Sequence, residues 1–202
     1  MYKNPYPGKF IVIEGIDGAG SSTQADSVVG YFRELGKKFH LTKEPTNSLI
    51  GGLIRGQLTN DWKSSPECLQ LLFAADRAHH LEKEVIPLLI KGVSVVSDRY
   101  FFSTMAFGAM EIKNQDWLLM LNKPFVLPDL TFLLEVSPEV AIKRIRQNRF
   151  SIELFEKKEK LKKTWQNYKK LAKKFKNVYI IDGEKPIQEI SYEIINKVKR
   201  VL

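Results

Sequence analysis

Hydrophobic residues recur along this chain in two rhythms. Short runs dense in apolar and β-branched residues at 10–14, 38–42, 93–97, 130–136 and 178–181 predict strands. Between them the apolar positions return at three- and four-residue steps. Ala25, Val28, Val29, Phe32 and Leu35 predict a helix over 22–35, with Gly36 placed to cap it. A helix over 48–58 follows. Ser65, Pro66 and Glu67 then suit the N-cap and first turn of a long helix running towards Gly92, with Pro87 as its kink or break. Shorter helices are expected at 103–111 and 115–121. Ser137, Pro138 and Glu139 open another over 140–147. Residues 150–176 are mainly helical, with Leu154, Leu161, Trp165, Tyr168, Ala172 and Phe175 on one stripe. A last helix covers 186–202 with Ile187, Ile190, Ile194 and Val198 inward.

Strands alternate with helices, without repeat or linker. The predicted fold is therefore α/β: one domain over residues 1–202, with a five-stranded parallel sheet covered by helices on both faces. Such sheets bind ligands beyond the carboxyl ends of their strands. That edge collects Asp17, Glu44, Asp98 and Arg99.

Composition changes this picture little: 202 residues with 44% hydrophobic content suit one core of ordinary size. The single cysteine, Cys68, rules out an internal disulfide and a multi-cysteine zinc site, and is expected to be a small buried apolar residue. His79 and His80 have no second Cys or His cluster, so they read as surface or helix-packing residues rather than metal ligands. No basic leader with a long apolar stretch is seen, and the most apolar later run, 85–96, is broken by Lys91 and Gly92. Neither export signal nor membrane span is expected, and a cytoplasmic location is. The net charge of +9 raises the question of nucleic acid. Residues 141–177 hold 14 Lys and Arg against three Glu, leaving 18 against 20 elsewhere. The basicity thus belongs to one segment. Its lysines fall between the apolar positions, and Trp165, Tyr168 and Phe175 coincide with the stripe, as on a solvated helix face; nucleic-acid binding is not expected.

Candidate chemistry concentrates in residues 10–23, FIVIEGIDGAGSST: an apolar strand, a glycine turn and a helix start. Successive backbone N–H groups there point into one concavity, and the helix dipole adds partial positive charge, so the turn suits a polyphosphate. Gly15 to Gly20 have the spacing of G-x-x-x-x-G-K-[ST], but Ser21 stands where the lysine belongs. Gly15, Gly18, Ala19, Gly20, Ser21, Ser22 and Thr23 are the candidate phosphate-binding residues. The Ser22 hydroxyl occupies the position that ligates Mg²⁺, and Asp98, ending a later apolar strand, suits a Walker-B-type partner. Plainer readings stand beside these. The turn is then only a tight turn, Asp98 and Arg99 a structural ion pair, and Glu44-Pro45 a strand stop. Phe73 and Arg77 are then a core residue and an i,i+4 surface pair.

Four blocks in order resemble thymidylate kinases: Gly15-Ile16-Asp17-Gly18-Ala19-Gly20, Leu72-Phe73-Ala74-Ala75-Asp76-Arg77, Asp98-Arg99-Tyr100 with Ser103 and Ala106, and Pro128-Asp129-Leu130 with Ser137-Pro138-Glu139-Val140-Ala141. The resemblance spans about residues 10–190 and implies a P-loop NTPase-type three-layer fold with a short basic lid, about residues 144–153. It implies transfer of the γ-phosphoryl of ATP to dTMP, giving dTDP, with Mg²⁺ and usually as a homodimer. Asp17 is implied to meet the sugar 3′-hydroxyl, Phe73 to stack on thymine, Arg77 to reach a base carbonyl and Arg99 the acceptor phosphate. Glu44, Ser103, Thr104 and Phe107 complete the implied dTMP site. Phe73 and Arg77, four apart on a helix, would set an aromatic face beside a guanidinium, as a pyrimidine with carbonyl acceptors requires.

The departures concern charge and sugar recognition. Phe107-Gly108 replaces a common Tyr-Gln, removing a hydroxyl expected near the sugar 2′ position. Lys43 precedes Glu44 where many members have arginine. Gly18, where some have arginine, suggests the class whose basic residues come from the lid. Arg149, with Arg144 or Arg146, is the expected source of the charge missing at Ser21, and Glu153 and Glu156 pair with these arginines or flank the next helix. The alternative is a weak or inactive nucleotide-binding homologue.

Overall fold

The computed structural model describes residues 1–148 and 154–202, with side chains except at 146–157. In chain order the elements are β1 (Tyr2–Lys3), β2 (Phe10–Gly15), α1 (Ser21–Glu34), β3 (Phe39–Lys43), α2 (Leu49–Leu58) and α3 (Pro66–His80). A π-helical turn (Leu81–Val85) leads into α4 (Ile86–Ile90), β4 (Ser94–Asp98), α5 (Phe101–Gly108) and α6 (Gln115–Asn122). β5 (Val126–Leu127), β6 (Leu130–Glu135), α7 (Pro138–Asn148), α8 (Leu154–Ala172), β7 (Val178–Asp182) and α9 (Ile187–Lys199) complete the described chain.

The sheet is parallel throughout, in the order β3-β4-β2-β6-β7. β2 is its centre and every residue of it is buried, which is why its sequence is a continuous apolar run rather than an alternation. Helices flank the sheet: α1 packs with α9, and α5 with α8. Register carries the chemistry, since Asp98 at the end of β4 pairs with Ile13 of β2 on one side and Lys43 of β3 on the other. The ends of three strands thereby meet beside the glycine turn.

Several details depart from the sequence reading. The pairing of Tyr2 with Val126 and Lys3 with Leu127 forms a separate two-stranded parallel sheet, too short to leave a period. Pro87 does not break its helix but lies in the first turn of α4. The distortion sits just upstream, in the π turn, where the carbonyl four residues before Pro87 has no N–H to receive. Cys68 is half-buried in the first turn of α3 rather than in the core.

Candidate functional site

The glycine turn is built by close packing as much as by flexibility. Gly18 has φ +83°, and a Cβ there would lie 2.5 Å from the carbonyl oxygen of Ala141 in α7. No side chain fits, so α7 presses directly on the turn. Gly20, at φ +95°, turns the chain into α1 without a side-chain cap, leaving the helix N–H groups facing outward. Ser21 is 6% exposed and lines a cleft of about 600 Å³ with the turn. Arg144 and Lys185 line the same cleft, and Arg144 Nη1 donates to Ala19 O at 3.3 Å. Arg149 and Glu153 lie outside the described residues, as do the side chains of Arg146 and Glu156.

The Ser22 hydroxyl donates to Asp98 Oδ2. Asp98 Oδ1 is buried and has no hydrogen-bond partner among the described residues. A hydroxyl and a carboxylate with an unused buried oxygen are the hard donors that Mg²⁺ takes, so these residues fit the ion.

A second cleft, of about 210 Å³, lies beside the first and is lined by Glu44, Phe73, Arg77, Ser103, Thr104 and Phe107 among others. Asp17 and Arg99 belong to both clefts. Arg99 has φ +73°, a left-handed conformation sustained by Arg99 N donating to Ile13 O at 2.9 Å and by Ser97 Oγ donating to Arg99 O at 2.7 Å. Its guanidinium donates to Asp17 Oδ1 (2.9 Å), Gly15 O (2.9 Å) and Ser103 Oγ (3.1 Å), and lies over the Phe107 ring. Arg99 therefore pairs with Asp17 and Asp98 with Ser22, which replaces the reading of Asp98 and Arg99 as an ion pair.

Arg77 reaches the second cleft but is no surface residue; it is 1% exposed. Its Nε and Nη2 lie 2.9 and 2.7 Å from Glu44 Oε2, and Nη1 donates to Asn122 Oδ1 at 2.5 Å. The guanidinium also rests over the rings of Tyr100 and Phe125. Glu44 is thus more than a strand stop. Phe73, half-buried, stands one helical turn earlier on the same wall. Gln70 packs against Gly108, where a Cβ would meet its amide at 2.9–3.0 Å.

Sequence reasoning missed several groups. Glu14 was only the acid closing a strand; it is fully buried and accepts from Tyr100 N (2.8 Å), Ser103 N (3.2 Å) and Ser103 Oγ (2.5 Å). Burial pushes its carboxyl up to about 7, against the Ser103 hydroxyl, the Arg99 charge and the two N–H groups, which pull it down. Tyr168, a stripe residue, brings its hydroxyl to 3.1 Å from Glu14 Oε2. Asp76 holds the loop after β3 by accepting from Thr46 N (2.8 Å), Thr46 Oγ1 (2.6 Å) and Ser48 Oγ (3.0 Å). His79 is exposed, whereas His80 is buried in a polar cluster. The one local signal for any of these is an acid inside a wholly apolar run, which must find partners when buried.

The family model described as thymidylate kinase matches residues 13–194. Among relatives, a protein named probable thymidylate kinase from Thermococcus onnurineus is 39% identical over 201 residues, covering 96% of this chain and 98% of its own. One of the same name from Methanocaldococcus jannaschii is 36% identical, with 95% and 96% covered. A thymidylate kinase from Carboxydothermus hydrogenoformans is 35% identical, with 93% and 95% covered. With this similarity running nearly end to end over a five-stranded parallel sheet and its glycine turn, the chain belongs to the thymidylate kinase family.

Proposed function

We propose that this chain transfers the γ-phosphoryl of ATP to the 5′-phosphate of dTMP, giving dTDP and ADP. The observation that carries this is the pair of clefts meeting at Asp17 and Arg99, one walled by the glycine turn and the other by Phe73 and Arg77. An acceptor-phosphate oxygen attacks the γ-phosphorus, and the bond to the β-phosphate oxygen breaks. Catalysis of this step is positioning plus charge.

The N–H groups of Gly18 to Thr23 hold the donor phosphates. Ser22 and Asp98 would hold Mg²⁺, which would neutralise charge on the phosphate oxygens. Arg99 exchanges Asp17 for the acceptor phosphate, and Asp17 is released to accept from the sugar 3′-hydroxyl. Phe73 stacks on the base while Arg77 donates to a base carbonyl. Ser103, Thr104 and Phe107 close the sugar side. Arg144 supplies part of the charge absent at Ser21, together with Arg149. The family resemblance also implies a homodimer. No described helix is long and apolar enough to cross a membrane; a cytoplasmic location suits this substrate pair.

The relatives' names do not favour the inactive alternative, yet Ser21 makes a definite forecast. A coupled assay with dTMP and ATP should show turnover in the natural sequence, and Ser21→Lys should raise kcat by roughly tenfold, short of the ~10³-fold that a single transition-state charge supplies where nothing replaces it. Turnover only in Ser21→Lys would overturn the reading of an active enzyme.

A further inference from the structure

His80 closes α3 and is 2% exposed, yet no role assigned so far uses it. It sits in a polar cluster drawn from several elements. Its Nδ1 is 3.1 Å from Glu44 Oε1 in the loop after β3, and its Nε2 is 2.8 Å from Thr42 Oγ1 of β3. Glu84 Oε2, from the π turn, is 3.9 Å from Nε2, and the other oxygen of Glu84 is 2.8 Å from His40 of β3. On its own helix the nearest charge in the network is Arg77, which grips the opposite oxygen of the same Glu44. The chain of contacts runs from Thr42 and Glu84 through His80 and Glu44 to Arg77, and so into the wall of the second cleft.

Two details give this chain a direction. The π turn begins at the residue after His80 and brings Glu84 beside the ring; such turns recur at functional sites. Arg77 Nη2, although 2.7 Å from Glu44 Oε2, makes no hydrogen bond of good geometry among the described residues. It therefore keeps an N–H to spare, buried beside the cleft that Arg77 helps to line. Burial alone would drive His80 neutral, but its contacts with Glu44 and then Glu84 outweigh that and push it up to about 9. At neutral pH both ring nitrogens then donate. Glu44 divides its charge between the imidazolium and the guanidinium instead of neutralising Arg77 outright.

We propose that His80 is a positioning residue for the acceptor base: by anchoring Oε1 of Glu44, it makes Oε2 hold Arg77 along its Nε edge and leaves an Nη2 N–H for a ring carbonyl oxygen. The ligand class this selects is a pyrimidine monophosphate with a carbonyl, rather than an amino group, at the position Arg77 meets. The inference rests on the proposed dTMP site.

The test compares the natural sequence with His80→Gln, which cannot carry charge, and His80→Asn, whose amide nitrogen can stand where Nδ1 stands. In His80→Gln the KM for dTMP should rise roughly tenfold with kcat and the KM for ATP changed less than about twofold, and the preference for dTMP over dCMP should fall. His80→Asn, which restores a donor to Glu44 without the charge, should recover only part of the dTMP KM at neutral pH. The ratio of the His80→Gln and natural KM values should shrink as pH rises past about 9, where His80 loses its proton. An unchanged dTMP KM and an unchanged dTMP preference in a folded His80→Gln would overturn the proposal, as would equal rises in both substrates' KM. Should the variants not fold, nitrogen NMR of the natural protein decides: both ring nitrogens protonated at about pH 7.5 and shifted by dTMP but not ATP supports it, and a single protonated nitrogen or no response to dTMP contradicts it. Failure of the natural protein to phosphorylate dTMP would instead overturn the proposed function, with the ring-nitrogen protonation still reporting on His80 separately.

Discussion

Arg99 is held in a backbone conformation that costs an L-residue about 1–2 kcal/mol, and the strain sits at the junction of the two clefts. Its pair with Asp17 is partly open to solvent, 55% exposed on the carboxylate side, so the contact is worth only about 0.2–1 kcal/mol and is readily exchanged for a doubly charged phosphate. Arg99→Ala should lower kcat/KM for dTMP by about 10³-fold while changing stability by no more than about 1 kcal/mol. A loss of activity matched by global unfolding would show that Arg99 serves the fold instead. Glu14 gives a pH dependence of definite sign. Its carboxyl binds a proton more tightly folded, up to about 7, than unfolded, near 4.5, so its contribution is greatest below 4.5 and is lost as pH rises through about 7. The unfolding free energy from urea titrations should fall across that window by on the order of 3 kcal/mol, and Glu14→Gln should flatten the slope. An identical slope in the variant would contradict this assignment.

At the scale of elements, helix starts were legible where the cap is local. Ser65 accepts from Cys68 N (3.2 Å), and α3 begins where that serine predicts; Ser48, read as the first residue of its helix, instead caps α2 by accepting from Gly51 N (3.3 Å). For α5 the partner is Glu14, 89 residues before Ser103, and the helix begins at Phe101 rather than at the expected 103. No local pattern announces a cap supplied from another strand. The same holds for Asp76, Asn122 and the burial of His80, whose partners are set by packing between elements. Gly18 shows an element interface in a single residue. Gly18→Ala should cost about 2–4 kcal/mol, because its Cβ meets Ala141 O at 2.5 Å in a left-handed turn, and should raise the KM for ATP more than that for dTMP. Thermal unfolding and steady-state kinetics check both; an unperturbed variant would mean that α7 does not press on the turn.

Across the whole molecule, the five parallel strands and their helices were readable because buried parallel strands are continuous apolar runs and the helices between them keep their own period. The basic segment resolved as expected for a helix face: Lys162, Lys163, Lys169 and Lys170 are exposed around buried Leu161, Trp165 and Tyr168 of α8. What sequence order does not convey is that the glycine turn and the Phe73-Arg77 helix open onto the same two side chains, Asp17 and Arg99. In the proposed mechanism that convergence joins the two clefts into one transfer site. Its most direct test is the product of the natural protein incubated with Mg²⁺, ATP and dTMP, resolved by chromatography. The account predicts one dTDP for each ADP formed, slowed about 10³-fold in Arg99→Ala even though that variant still binds ATP; binding of both nucleotides with no dTDP formed by the natural protein would contradict it.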